Sequence, residues 1–285
     1  MTTDDIVIRP MERTPEEVRK AVACVVGGGW GTYRQYHSMF TFYATNPNCW
    51  PFVAVDGGAV VGTGIGTRYQ MSGWVGHVFV SPRLRGSGLG RRLTETAIAR
   101  LRELGCETIV LAATVLGRPL YEGLGFEFET DYHELRGQAL PKTTSLDPLR
   151  PLMPSDRREL ARLDRIVSGE RRGNLLTLFS GYGWCLERDQ AVVGAVLPTP
   201  WGGVQASLLP DASGAETAAL IRAIRTLGGI QNEVVVYPTT ENVAALRMLA
   251  DQGFEEKRRV PRMVLGERLG WLRAAVWSPF ALGLG

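Results

Sequence analysis

Residues 78–91 read Val-Phe-Val-Ser-Pro-Arg-Leu-Arg-Gly-Ser-Gly-Leu-Gly-Arg. A run of strand-forming residues (Val78, Phe79, Val80) leads through Ser81-Pro82 into a loop with glycines at 86, 88 and 90, and the loop opens directly into an amphipathic helix. Glycines let several backbone N–H groups converge, and a helix N-terminus adds partial positive charge, so the stretch reads as an anion site. Arg85 and Arg91 add charge beside it. The dinucleotide pattern Gly-x-Gly-x-x-Gly fails, because Arg91 stands three after Gly88, and no Gly-Lys-Ser/Thr marks a nucleotide P-loop. The plain alternative is a tight turn with no ligand. Gly62-Thr63-Gly64-Ile65-Gly66 has no helix behind it and reads as a thin strand or a bulge.

Around this loop the pattern predicts, in order, a strand over 5–10, helices over 14–26 and 32–44, and a hairpin 52–55/59–68 turning at Asp56-Gly57-Gly58. A strand over 74–80, a helix over 89–104, a buried strand over 108–113, a short helix over 119–124 and a strand over 127–135 follow. Thr14 before Pro15-Glu16-Glu17 marks a helix start, and apolar residues at 89, 93, 97, 101 and 104 have helical spacing.

The chain then repeats itself. Ala59-Val60-Val61-Gly62 returns as Ala191-Val192-Val193-Gly194, Arg9-Pro10 as Arg150-Pro151 and Gly125-Phe126 as Gly253-Phe254, at offsets of 132, 141 and 128 residues. Three matches in one order at similar offsets indicate a duplication. The second copy predicts a strand over 149–153, a helix over 156–167, a hairpin over 184–197 and a strand over 204–209; a helix over 215–227, a strand over 233–237, a helix over 242–251 and a strand over 255–264 complete it. Where the first copy has Arg85-Gly86-Ser87-Gly88-Leu89-Gly90, the second has Pro210-Asp211-Ala212-Ser213-Gly214-Ala215, with one glycine, no arginine and an acid. The expected division is therefore a site-bearing domain over 1–136, a linker over 137–148 and a degenerate domain with a closing segment over 149–285.

With 285 residues, 45% hydrophobic and 21% charged, each half has enough apolar material for a core. A net charge of +3 is too mild to suggest a nucleic-acid partner, no apolar run is long enough to span a membrane, and the start MTTDDIVIRP lacks the basic end and apolar core of a signal peptide, so a cytoplasmic protein is expected. Cys24, Cys49, Cys106 and Cys185 form no Cys-x-x-Cys pair and read as reduced, buried small hydrophobes; three scattered histidines give no metal site. Of 32 basic residues 29 are arginine, which reads as base composition rather than a binding device.

These residues resemble the GNAT N-acetyltransferases. The family's loop motif, Gln/Arg-x-x-Gly-x-Gly/Ala, is met by Arg83 to Gly88 and again by Arg85 to Gly90, and its tyrosine four before Gly-Phe by Tyr121 before Gly125-Phe126. The resemblance is strong over residues ~50–130 and extends to a tandem subgroup with a degenerate C-terminal GNAT-like domain; it implies an α/β fold (an α+β mixed sheet) in two tandem copies. It implies acetyl-CoA as co-substrate without a metal, and a primary amine of a small molecule as acceptor, attacking directly in a ternary complex. The strand end Val78, Phe79 and Val80 is implied to pair with the pantetheine arm and aim an N–H at the thioester carbonyl. Arg85, Gly86, Ser87, Gly88, Leu89, Gly90 and Arg91 hold the pyrophosphate, Thr114 stands where relatives often carry Asn, and Tyr121 gives the leaving thiolate a proton.

Relatives place a general base at even spacing back from Val80; here those positions are Trp74, Gly76 and Val78, and His77 has the opposite parity, which on a regular strand points it to the other face. The aromatic stretch Trp30, Tyr33, Tyr36, His37, Phe40, Phe42, Tyr43 is either a cage for the acceptor or ordinary core. The segment 269–285 is read as a strand packing between the copies rather than a membrane anchor. The remaining readings are a non-catalytic acyl-CoA sensor or scaffold, and an acetyltransferase of peptide or protein amines, in a chain that is a monomer or homodimer. Leu249 replaces the tyrosine in the second copy, so one donor site per chain is expected.

Overall fold

The computed structural model describes residues 5–142, 144–230 and 232–285. The first copy comprises β1 (Val7–Pro10), α1 (Pro15–Gly27), α2 (Tyr33–Thr45), β2 (Cys49–Asp56), β3 (Ala59–Tyr69), β4 (Ser72–Val80), α3 (Leu89–Glu103), β5 (Thr108–Ala112), α4 (Arg118–Glu122) and β6 (Glu127–Gln138). The second comprises β7 (Arg150–Pro151), α5 (Arg157–Ser168), α6 (Gly173–Phe179), β8 (Trp184–Arg188), β9 (Ala191–Pro198), β10 (Val204–Leu208), α7 (Gly214–Leu227), β11 (Gly229–Ile230), β12 (Glu233–Val236), α8 (Val243–Asp251) and β13 (Glu255–Gly266), with β14 (Val276–Ser278) after it. The order β-α-α-β-β-β-α-β-α-β thus runs twice, with β11 inserted in the second run. Helix α6, the counterpart of α2, is absent from the sequence reading, because seven residues are too few to show a helical period.

Local signals set the helix starts. Thr14 Oγ1 accepts the Glu17 amide at 3.2 Å with Pro15 at the first position of α1, and Thr32 does the same for Gln35 at 3.3 Å in α2. The stripe Leu89, Leu93, Ala97, Leu101 of α3 is fully buried against the sheet. The glycines of β3 explain how closely it lies there. A Cβ on Gly64 or Gly66 would stand 3.5 Å from the Leu93 side chain or 3.3 Å from that of Leu101, so the thin strand is the seat of the helix.

The sheets do not follow the linear division. A nine-stranded sheet has the order β1-β2-β3-β4-β5-β13-β6-β12-β11, and a five-stranded one β14-β10-β9-β8-β7. The last strand of each copy has been exchanged: β13 lies between β5 and β6, pairing antiparallel with both, and β6 lies between β13 and β12. The four central strands form a pseudo-twofold set in which neither copy's sheet is complete without the other. This exchange also extends β6 past its expected end, because Gly137 and Gln138 pair with Val234 and Glu233. The segment after β13 supplies β14, which pairs with β10 at the edge of the five-stranded sheet, and beyond it Gly283 and Gly285 lie against Gly76 and Trp74 of the first copy; among the described residues no helix is long and apolar enough to cross a membrane. All four cysteines are unpaired.

Candidate active site

Strands β4 and β5 run parallel but pair only where Ser72–Trp74 meets Thr108–Val110. Beyond Trp74 they part, so the β5-facing edge of β4 from Val75 to Val80 has no strand on it. A bulge accompanies the parting: Thr63 pairs with Phe79 and Ile65 with Gly76, which leaves His77 and Val78 opposite Gly64 alone. Thr63 Oγ1 donates to the His77 carbonyl at 2.8 Å and pins the distortion. A gap between splayed strands with free backbone polar groups is suited to an extended ligand bearing amides of its own.

At the end of this gap lies the glycine loop. Gly88, at φ +83°, is the N-cap of α3 and offers no side chain to the helix amides. Gly86 shares the left-handed conformation at φ +80°, and a Cβ on either would meet nothing within 4 Å. Among the described residues the amides of Gly86, Gly88, Leu89, Gly90 and Arg91 have no acceptor, whereas Ser87 closes on Leu84 through both its amide (3.4 Å) and its hydroxyl (2.7 Å). Five unmatched donors at a helix N-terminus form a cradle for an oxyanion. The two arginine side chains also make contacts within the chain. Arg91 donates to the Gly123 carbonyl at 2.9 Å and pairs with Glu95 at 3.2 Å, tying α3 to the end of α4, and Arg85 Nε folds back on the Val80 carbonyl at 3.4 Å.

Helix α4 brings Tyr121 to the same corner. Its neighbour Leu120 would be 3.4 Å from a Cβ on Gly90, so the helix sits against the start of α3. Tyr121 packs edge-on to Phe126 at 6.0 Å, and burial pushes its phenol up to about 12. Thr114 Oγ1 accepts the Gly117 amide at 3.0 Å and so shapes the entry to α4.

The opposite face of β4 carries His77, on the side away from Val78 and Val80 as its parity predicts. At φ +48° in the bulge it turns toward Tyr36, Phe40 and Tyr43, with ring centroids 5.9, 6.2 and 5.3 Å away. The even-spacing rule fails because the bulge adds a residue: Trp74 and Phe79 share the α1/α2 face, while Val78 and Val80 pack toward α3. Both His77 nitrogens and the Tyr43 hydroxyl are buried without partners, and burial lowers the imidazole to about 4. The aromatic stretch is largely core, with Trp30 packed edge-on to Phe79 at 5.3 Å and Phe42 on Trp201 of the second copy at 5.5 Å; Tyr33, stacked on the half-buried His37, is exposed.

Comparison with known proteins places this geometry. Residues 16–126 match the model of the acetyltransferase (GNAT) family. Over that stretch the chain is similar to a GNAT domain. The whole chain aligns with an acetyltransferase candidate from Pyrococcus horikoshii at 18% identity, covering 100% of this chain and 98% of that one with a TM-score of 0.82. A GCN5-related N-acetyltransferase from Sphaerobacter thermophilus (18% identity, 96% and 100% covered, TM-score 0.65) and a tandem GNAT protein from the clavulanic acid biosynthesis pathway (13%, 92% and 98%, TM-score 0.64) have the same fold. No curated protein matches the chain. The exchanged pair of copies is thus a tandem GNAT fold.

The second GNAT-like copy shows what the first retains. Ser213 caps α7, accepting from the Glu216 amide at 3.3 Å while its own amide donates to Glu216 at 2.6 Å. Arg188 holds Asp211 and Glu216 at 2.7 and 3.0 Å, so two carboxylates already stand at that helix start. The edge of β10, counterpart of the open edge of β4, is taken by β14 through Ala206–Ser278 and Ser207–Val276. Leu249, in the place of Tyr121, is fully buried.

Sequence reasoning missed a buried polar cluster between the copies. Glu170 Oε1 and Oε2 accept the Trp74 indole N–H at 3.1 and 3.0 Å, and the Ser72 hydroxyl donates to Oε1 at 2.6 Å; burial raises the Glu170 carboxyl despite these donors and nearby Arg172. Arg172 is held by Asp164 at 2.6 Å, both buried. No local pattern marks Glu170, since its partners lie about a hundred residues earlier. Among the described residues no group of three or more His, Cys, Asp or Glu gathers to hold a metal.

Proposed function

We propose that the first copy transfers the acetyl group of acetyl-CoA to a primary amine of a small molecule, with both substrates held together, in the cytoplasm. The observation that carries this reading is the set of unmatched amides at Gly86, Gly88, Leu89, Gly90 and Arg91 beside the open edge of β4. Acetyl-CoA supplies the activated acyl group as a thioester. The loop amides would hold its diphosphate, the β4 edge at Val78–Val80 would pair with its amide-bearing arm, and a backbone N–H of that edge would polarise the carbonyl. The exposed Val115 and Leu116 next to Thr114 offer apolar cover for the arm.

Holding the two reactants side by side removes most of the entropic part of the barrier. The amine nitrogen bonds to the acetyl carbon, the C–S bond breaks, and the sulfur takes a proton from the Tyr121 phenol, which the ammonium proton replenishes through solvent. A phenol raised to about 12 is always protonated at working pH, and a thiolate leaving in the same desolvated corner is raised with it, which keeps the transfer feasible. An imidazole lowered to about 4 is too weak a base to deprotonate an alkylammonium, so the amine enters neutral or loses its proton to water rather than to His77.

A small acceptor is favoured because the α2 face of β4 is roofed by the second copy: Phe42 meets Trp201, and a Cβ on Gly76 would fall 2.6 Å from Gly283. The same closing segment favours, as a second reading, an acyl-CoA-binding protein that does not turn over. Incubation with acetyl-CoA and a panel of primary amines, read as free thiol, separates the two. Release with at least one amine, lost in Tyr121→Phe, supports transfer; tight acetyl-CoA binding with no release across the panel supports the second reading.

A further inference from the structure

At the end of the sheet opposite the glycine loop, a groove of about 730 Å³ opens between the copies. One wall is the end of β3 (Arg68, Tyr69, Gln70), and the other is α5 and the start of α6. Among the described residues six arginines line it, Arg68, Arg158, Arg162, Arg165, Arg171 and Arg172, and no carboxylate does. Arg158, Arg162 and Arg165 fall at spacings of four and three on α5, so they share a face. Arg162 and Arg172 are held by Glu159 and Asp164 at 2.7 and 2.6 Å. Among the described residues Arg158, Arg165 and Arg171 are exposed and have no ion-pair partner. The floor is apolar, made by Ala161, Ile166 and Leu175.

We propose that this groove is a second ligand site, which takes a small organic molecule carrying two or more oxyanion groups, phosphate or carboxylate. The unpaired guanidinium groups of Arg158, Arg165 and Arg171 line one groove and repel one another, and an anion relieves that repulsion. Guanidinium forks match phosphate and carboxylate oxygens two at a time. The volume is that of a pocket for a small molecule, and the apolar floor suits an organic body between the charged groups. β4, nine residues long, separates the groove from the glycine loop by roughly 30 Å, so the site is not the donor site. Because one wall belongs to each copy, a bound anion bridges them. The proposal does not depend on acetyl transfer.

The test is calorimetric titration of the full chain at low salt with inorganic tripolyphosphate and, separately, with citrate. The Gly88→Glu variant serves as the background, so that the glycine loop does not contribute. Binding of either probe is expected, weakening about tenfold for each guanidinium removed in Arg158→Gln and Arg165→Gln and vanishing in the doubly charge-reversed Arg158→Glu/Arg165→Glu chain. A preference for tripolyphosphate assigns phosphate and one for citrate assigns carboxylate. Absence of binding by both probes overturns the proposal, as does binding that survives the double reversal or is seen only with Gly88 intact. Affinity for a single-stranded oligonucleotide that grows with its length, with neither small anion bound, overturns it in favour of a nucleic-acid surface. Unchanged melting temperatures verify that the variants, altered at exposed and unpaired side chains, are folded.

Discussion

Replacing Gly88 separates the two reasons a glycine is required there. Its φ of +83° costs an alanine about 1–2 kcal/mol, and because a Cβ would meet nothing within 4 Å, the cost is conformational and not steric. Gly88→Ala should therefore melt a few degrees lower, about 2–4 °C per kcal/mol in a chain of this size, and bind CoA less than about tenfold more weakly. Gly88→Asn, whose side chain tolerates the left-handed region, should recover most of the lost stability. Gly88→Glu has the same backbone cost and adds a carboxylate beside the loop amides. Two diphosphate charges about 6 Å away, at an effective dielectric of about 40, add about 3 kcal/mol of repulsion, or roughly a hundredfold in Kd. Calorimetric titration of CoA into the three variants, with thermal unfolding alongside, measures both quantities. If the glutamate variant binds CoA as well as the alanine variant does, the diphosphate is not held by this loop and the reasoning fails.

Tyr121→Phe should lower turnover about a hundredfold with the CoA dissociation constant unchanged, as single-turnover thiol release and titration would show; an equal loss in both would make the residue a packing element. His77 is neutral in the fold at about 4 but titrates near 6.5 when unfolded, so the unfolded chain binds the extra proton between those values and stability falls as pH drops through that window, by up to about 3 kcal/mol. In His77→Gln the melting temperature should lose that acid slope between pH 6.5 and 4; a slope equal to the parent's would assign it to other groups. Residues 1–148 produced alone should fail to give a folded monomer, because β5 and β6 would be left without the β13 that joins them; a cooperative unfolding transition with native-like hydrogen-exchange protection in β5 would contradict this.

The legible features were those written in local pattern. Thr14 before Pro15, the 89-93-97-101 stripe and the repeated Ala-Val-Val-Gly hairpins each act over a dozen residues or fewer, and the helices and strands they predict form within a residue or two at most ends. The glycine loop was legible for the same reason, since its chemistry lies in consecutive backbone amides. Two kinds of feature were not legible. A bulge adds one residue without changing composition, and it puts Trp74 on the face opposite Val78 and Val80, which even spacing had grouped together. Glu170 meets Ser72 and Trp74, and Arg68 faces α5, through packing of one copy on the other, which no window of sequence contains.

The exchange of β6 and β13 explains why the second copy keeps its fold after its loop has changed. Were the copies independent, a copy without a working loop could decay without affecting the first. Here β13 forms the second neighbour of β5, the strand whose parting from β4 opens the candidate donor gap, and the Ala113 amide, where β5 leads into α4, donates to Pro261 at 2.7 Å. Loss of β13 would remove the support on which Thr114 and Tyr121 are carried. The burial of Val260, Met263 and Val264 is therefore required by the first copy's site, whereas nothing required the glycines of the second loop, where Ser213 and Glu216 now cap α7 more firmly than a ligand cradle would. Support for the first copy's candidate site thus comes from the second copy through β13, although the loop of the second copy differs.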